Sequence, residues 1–295
     1  MPNTYQSPVD GFDTQHDGTE HLAVNNSLCR RLSTLLSLKL TQWLRIYKRF
    51  CYCYPISKNV IVKCGPWVHL TEAATMIFVA QNTSIPVPRV HCSFIHKNKA
   101  YIVMERIQGD NLCNVWNKLS EEDKDIILSQ LRCMLQELRA IKPPPNTGVE
   151  SCVGGSLQDS RNSRSCPRFG PFKTIQDFHS WLRGGSEIAD FPNGFPNPQT
   201  EHDWDDFQKM VKRQDRSWPA PVFTHGDLNL SNILVRGNQV VGIIDWEFGG
   251  WYPSYWEYTS ACYLPMNDWT PIVSRFLEPY PEELEMEAIR QRWWF

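Results

Sequence analysis

Apolar residues between positions 31 and 50 recur at helical spacing, with Leu32, Leu35, Leu36, Leu38, Leu40, Trp43 and Leu44 predicting an amphipathic helix packed onto the region C-terminal to it. A short apolar strand over 59–64 carries Lys63 near its end. Residues 71–81 read as a helix with Thr71 as N-cap, and Pro86 and Pro88 bar its continuation. Two strands, 90–95 and 100–104, flank the polar turn 96–99. The stretch 105–110 links this region to a second lobe. There, Ile126, Ile127, Leu131, Met134, Leu135 and Leu138 mark a long helix over 119–141, closed by Pro143, Pro144 and Pro145. Residues 142–171 and 184–200 are rich in Gly, Pro, Ser and Asn and predict irregular loops, separated by a helix over 175–182. Short strands come next at 222–223, 233–235 and 240–244, the last two joined by the hairpin turn Arg236-Gly237-Asn238-Gln239. The division that results is a loose arm over 1–25, an N-lobe over 26–106 and a C-lobe over 107–295.

Composition narrows the function classes. The 295 residues carry a net charge of −2, 41% hydrophobic and 21% charged, the profile of a globular chain. So balanced a charge offers no surface for a phosphate backbone, and no nucleic-acid partner is expected. The polar, acidic N-terminus shows no secretory signal, and the most apolar stretch, 32–44, is too short to span a bilayer. No membrane partner is expected either, and the location expected is cytoplasmic. The ten cysteines contain no C-x-x-C, which predicts free, mostly buried thiols. A zinc site from Cys51, Cys53 and His91 or His96 lacks the spacing of a finger. Neither a P-loop nor a dinucleotide-binding glycine motif is present.

Chemistry concentrates after residue 221. Thr224-His225-Gly226-Asp227 and Asn229 to Asn232 precede the hairpin, and Asp245-Trp246-Glu247 comes directly after it. Folding the hairpin brings Asn232 and Asp245 together, and a carboxylate with an amide carbonyl suits Mg²⁺ completed by phosphate oxygens. Asp227 then stands close by, placed to orient a hydroxyl. His225-Gly226-Asp227 with Asn232, then Ile244-Asp245-Trp246, resembles the aminoglycoside phosphotransferase and choline kinase-like family, in a fungal branch, over residues 60–258. The resemblance implies a protein-kinase-like α+β fold of two lobes, a small antiparallel-sheet N-lobe and a larger, mainly helical C-lobe. By position it makes Asp227 the catalytic base, Asn232 and Asp245 metal ligands, and Lys63 the contact to the α- and β-phosphates, held by Glu72. Met104, Glu105, Arg106 and Ile107 become the hinge beside the base of ATP or GTP.

Two departures shape the expectation. The segment 45–59, where a phosphate-covering loop belongs, holds no glycine, leaving a roof that is loose or built from Ser57 and backbone. Gly226 occupies the place of the arginine that docks a phosphorylated activation segment in protein kinases, and residues 246–250 are too few to seat a polypeptide. The acceptor expected is therefore a hydroxylated small molecule. Glu201, Asp203, Asp205, Asp206, Glu247 and Glu257 favour an amine-bearing alcohol, unless 201–206 is simply a solvated acidic face. Glu257 is expected to serve a buried backbone group or arginine, and the aromatics Trp246, Trp251, Tyr252, Trp256 and Tyr258 to pack as core. The competing function is a non-catalytic nucleotide-binding or interaction module that keeps the fold; the oligomeric state is not legible in the sequence.

Overall fold

The computed structural model describes residues 14–162, 168–194, 202–263 and 269–293. Of the expected N-terminal arm, residues 1–13 lie outside the described residues, while 14–25 pack on the first lobe: Ser93 donates its amide to the Val24 carbonyl at 2.9 Å, and Gln15 and His16 are buried. The first helix, α1 (Leu28–Leu44), is capped by Ser27, whose hydroxyl accepts the Arg30 amide. It packs differently from the sequence expectation. Its buried residues are Thr34, Leu38 and Thr41, and most of its leucines face outward.

The N-lobe sheet contains β1 (Cys53–Pro55) and β2 (Val60–Gly65), then α2 (Leu70–Asn82), β3 (Val90–Ile95) and β4 (Ala100–Glu105). Its strand order is β1-β2-β4-β3, antiparallel throughout. Pleat alternation gives the sheet two faces. Val62, Cys92, Phe94 and Val103 meet Leu38 of α1, while Ala100, Ile102 and Met104 join the core beneath α2. The N-cap of α2 is His69 rather than Thr71: its Nδ1 accepts the Thr71 amide, and its Nε2 donates to the Gln15 carbonyl.

Across the link lie β5 (Asp110–Asn111), α3 (Leu112–Val115) and α4 (Glu121–Ala140), which buries Ile127, Leu131, Leu135 and Leu138 on one stripe. The chain continues through α5 (Ile175–Leu182), α6 (Asp203–Gln214), β6 (Val222–Thr224), β7 (Ile233–Arg236), β8 (Gln239–Ile243), β9 (Gly250–Tyr252), α7 (Trp256–Ala261), α8 (Trp269–Val273) and α9 (Pro281–Trp293). The strands form a β5-β7-β8 sheet and a β6-β9 pair. One apolar core runs from α2 through Phe223, Leu228, Ile243 and Trp246 to α4, so the two lobes share it. A second core gathers Phe172, Phe178, Tyr252, Tyr255 and Trp256. Trp246, Trp251, Tyr252, Trp256 and Tyr258 are all buried, as packing residues should be. The cysteines depart from expectation: among the described residues Cys92 alone is buried, while Cys29, Cys51, Cys113 and Cys133 are exposed and none is bridged. Cys166 lies outside the described residues.

Candidate active site

Strand β6 delivers the chain into Thr224-His225-Gly226-Asp227 between the two strand systems. Gly226 sits at φ +85°, and a Cβ there would lie 2.8 Å from the Phe248 carbonyl oxygen, so the turn admits only glycine without distortion. The buried Glu257 of α7 fixes this turn: its carboxylate accepts the amides of His225 at 2.6 Å and Gly226 at 3.1 Å. The expected backbone partner of Glu257 is thus found. Glu257→Gln replaces one acceptor oxygen with a donor and leaves an amide unpaired, costing about 1–3 kcal/mol of stability. A lower melting temperature with a reduced kcat is the outcome expected; an unchanged melting temperature would show the turn to be held otherwise.

His225 is not a proton shuttle. Burial lowers its pKa to about 4, its Nε2 donates to the Ile244 carbonyl at 3.0 Å, and its Nδ1 accepts the Asp227 amide at 3.2 Å. The neutral ring ties the loop of Asp227 to the strand leading into Asp245. Asp227 is gripped by two amides. Asn232 donates to its Oδ2 and its carbonyl, both at 2.8 Å, and Asn229 to its Oδ1 and carbonyl, both at 3.1 Å. Burial and the charge of Asp245 push the Asp227 carboxyl up to about 6, against the pull of these amides. With its nitrogen committed to Asp227, Asn232 retains its side-chain carbonyl as a free ligand oxygen.

Asp245 lies just past β8 in the left-handed conformation, φ +66°, at the head of a short 3-10 turn over Trp246–Phe248. The indole of Trp246 donates to the Ile243 carbonyl at 2.9 Å and anchors that turn. The hairpin pairing is as expected, since the Ile244 amide meets the Asn232 carbonyl at 2.9 Å. Lys63 forms the anticipated pair with Glu72, Nζ to Oε1 at 2.9 Å, but it also reaches Asp245 and, at 3.0 Å, Glu247. Burial works against the Lys63 charge, yet the three carboxylates outweigh it and hold the amine well above its ordinary range. Burial pushes Glu72 up to about 8 with Lys63 opposing, and Glu247 upward as well. One ammonium thus faces three carboxylates whose oxygens lie within 4.8 Å of one another. Sequence alone marks Glu247 only as a nearby acid. Its place two residues after Asp245 is visible there, but the turn that aims it at Lys63 is not.

The other expected residues lie farther from this cluster. Met104 is buried at the end of β4; the Glu105 and Arg106 amides bond the Arg89 and Asn59 carbonyls; Ile107 packs toward Gly242. The roof segment folds back in a tight turn in which Phe50 and Cys53 exchange amide bonds at 3.0 and 2.8 Å, with Cys51 rather than a glycine in the left-handed region at φ +46°. Ser57 caps the next turn by accepting the Asn59 and Val60 amides. Asp203, Asp205 and Asp206 of the acidic run form the first turn of α6, where the helix dipole favours them. Asp206 also pairs with Arg292 at 2.6 Å, and Glu201 lies outside the described residues. Among the described residues Glu72, Asp245 and Glu247 are the only His, Cys, Asp or Glu cluster suited to a metal.

A family model described as the phosphotransferase enzyme family, APH, matches residues 70–290. Among solved structures, aminoglycoside phosphotransferase APH(4)-Ia is similar over 88% of each chain, with a TM-score of 0.56 at 14% identity. The GDP complex of aminoglycoside 2'-phosphotransferase-IIIa is similar over 87% of this chain and 86% of that one, with a TM-score of 0.54 at 15% identity. A thermostable APH(4)-Ia mutant in ternary complex with AMP-PNP and hygromycin B matches over 79% of this chain and 76% of its own, with a TM-score of 0.53 at 15% identity. Likeness at such identity establishes the fold, the bilobal protein-kinase-like α+β arrangement expected. No curated protein matches the sequence.

Proposed function

The chain belongs to the phosphotransferase enzyme family matched over residues 70–290, and from that premise we propose that it moves the γ-phosphoryl group of ATP or GTP to a hydroxyl of a small molecule. The observation that carries the reading is the charge imbalance at Lys63. One ammonium cannot neutralise Glu72, Asp245 and Glu247 together; burial and this surplus make Glu72 and Glu247 hold their protons more tightly than free carboxyls, and a divalent cation among these oxygens would displace those protons. The donors are all hard oxygens, which suits Mg²⁺: Asp245 and Glu247 by carboxylate, Asn232 by its free amide carbonyl. Bound there, Mg²⁺ would neutralise charge on the transferred phosphoryl oxygens. Lys63, oriented by Glu72, holds the α- and β-phosphates, and Met104, Glu105, Arg106 and Ile107 border the purine. Asp227, held by Asn229 and Asn232, orients the acceptor hydroxyl and takes its proton late.

The neighbours solved with AMP-PNP and hygromycin B, or with GDP, support a nucleotide and a hydroxylated amine as the pair to try first. The glycine-free Phe50–Cys53 turn favours the alternative of a non-catalytic nucleotide binder, but binding alone gives no reason to cradle an aspartate of raised pKa beside Asp245. Thermal shift with ATP and GTP, each with and without Mg²⁺, is the first test. Nucleotide at about a hundred times its Kd adds about 2.7 kcal/mol. A Mg²⁺-dependent rise of several degrees is expected, and with it phosphate transfer to hydroxylated amines. No rise at millimolar nucleotide overturns the assignment of the cleft, and a rise without transfer to any acceptor favours the binding module.

A further inference from the structure

Helix α1 carries its apolar side chains on the side away from the protein. Leu28, Leu32, Leu36 and Leu40 recur every fourth residue, with Trp43 and Leu44 on the next turn, and all six are exposed, Leu36 at 66% and Trp43 at 79%. Residues four apart share a helix face, so these form one continuous outward stripe in which Lys39 is the lone charge. The inward face makes do with Leu38 and with Thr34 and Thr41, whose hydroxyls bond the Arg30 and Ser37 carbonyls within the helix. The stripe runs past the helix end through Ile46 to Phe50, which is 78% exposed on the roof turn. Apolar exposure this large and contiguous on a well-formed helix marks a docking surface.

Charge identifies what docks. No Asp or Glu occurs between Glu20 and Glu72, while that stretch holds eight Lys and Arg residues in a chain whose net charge is −2. Lys39, Arg45, Lys48, Arg49 and Lys58 are exposed, three of them between Trp43 and Phe50 in the chain, while Arg30 donates to the His91 carbonyl of β3. A second copy of this chain would set these cationic flanks against each other, which opposes a self-complementary pairing. An anionic lipid surface accepts both halves of the pattern: leucines and aromatic rings settle at the headgroup and acyl boundary while lysine and arginine meet the negative leaflet. The 17 residues of α1 lie on such a surface rather than crossing it, consistent with no helix among the described residues being long and apolar enough to span.

We propose that the α1 face, from Leu28 to Phe50, binds anionic membrane surface, a partner the sequence pattern led us not to expect. Because Phe50 belongs to the turn that folds over the Lys63 end of the sheet, the docked protein holds the roof of the cleft against the lipid.

Vesicle co-sedimentation tests this. The full chain is expected to sediment with phosphatidylcholine vesicles containing about 30% phosphatidylserine, weakly with phosphatidylcholine alone, and to be released at about 0.5 M salt, where charge attraction is screened. Leu36→Glu with Leu40→Glu, both solvent-exposed, is expected to keep the melting temperature and nucleotide-induced shift while losing about tenfold or more in bound fraction. Equal binding of the two proteins, or no binding to the anionic vesicles, overturns the proposal. So does a concentration-dependent dimer in sedimentation velocity that the double substitution abolishes, since the face then belongs to a second copy.

Discussion

Asp227→Asn is expected to lower kcat about 10²–10⁴-fold, the usual contribution of a positioned base, while Mg²⁺-nucleotide still raises the melting temperature as it does in the unaltered protein. The two effects separate because Asp227 bonds Asn229 and Asn232 and makes no contact with Lys63, which belongs to the phosphate-binding cluster. Stability offers an independent reading. The Asp227 carboxyl has an ordinary pKa of 3.8 and is pushed up to about 6 in the fold, chiefly by burial and then by Asp245. A carboxyl raised on folding destabilises the native state once ionised, a cost absent below the unfolded value and complete above about pH 6. Removing the charge relieves that cost at neutral pH, against about 1–3 kcal/mol lost where the new amide sets a donor opposite Asn229 or Asn232, so any melting-temperature deficit of the variant narrows as pH rises through about 6.

The same shift sets a pH profile. Only the ionised carboxylate accepts a proton, so kcat/KM falls below about pH 6 in the unaltered protein, with the limb displaced downward once a dication is bound nearby. In Asp227→Asn the residual activity loses that limb. A limb retained in the variant assigns it to another group, and equal loss of nucleotide binding and transfer shows that Asp227 does not have the role given to it.

The hairpin that joins Asn232 to Asp245 was legible in the sequence because it is local: two apolar strands and an Arg-Gly-Asn-Gln turn leave one way to fold. Lys63 and Glu72 were legible through the resemblance. What escaped depends on distant partners. The three-residue strand β9 exists because it pairs with β6 although 27 residues of chain separate Val222 from its start at Gly250, and nothing in Gly250-Trp251-Tyr252 alone announces a strand. Helix α9 hid because its inward face contains charge: Glu287 and Arg290 are buried as a pair at 2.9 Å beside Met286 and Ile289, so hydropathy lacks the expected stripe. In α1 the periodicity was evident but not its direction. Threonines that satisfy their own hydroxyls within the helix can face a sheet as well as leucines can, which leaves the leucines to water or to a partner.

Lys63→Met should be the most disruptive substitution at the site, and its cost should depend on pH. It leaves Glu72, fully buried, together with Asp245 and Glu247 and no cation among them. Removing one partner of a buried pair costs about 3–5 kcal/mol. In the intact protein the lysine's folded pKa lies above its unfolded 10.5, so its stabilisation is complete below that value and constant across the neutral range. In the variant, Glu72 and Glu247 become groups with folded pKa values raised further above their unfolded 4.5, and each costs stability as it ionises. The melting-temperature gap between the two proteins should therefore be small near pH 4 and widen toward pH 8. Millimolar Mg²⁺ without nucleotide should narrow it at pH 8, because a dication replaces the missing charge on the same oxygens. Phosphoryl transfer should fall about 10²–10³-fold even where the fold is intact, the cost of removing one preorganised positive group from the reacting phosphates. A gap that stays constant from pH 4 to 8 and ignores Mg²⁺ would place the defect in packing around β2, and the surplus of carboxylate charge that supports the metal site would lose its standing.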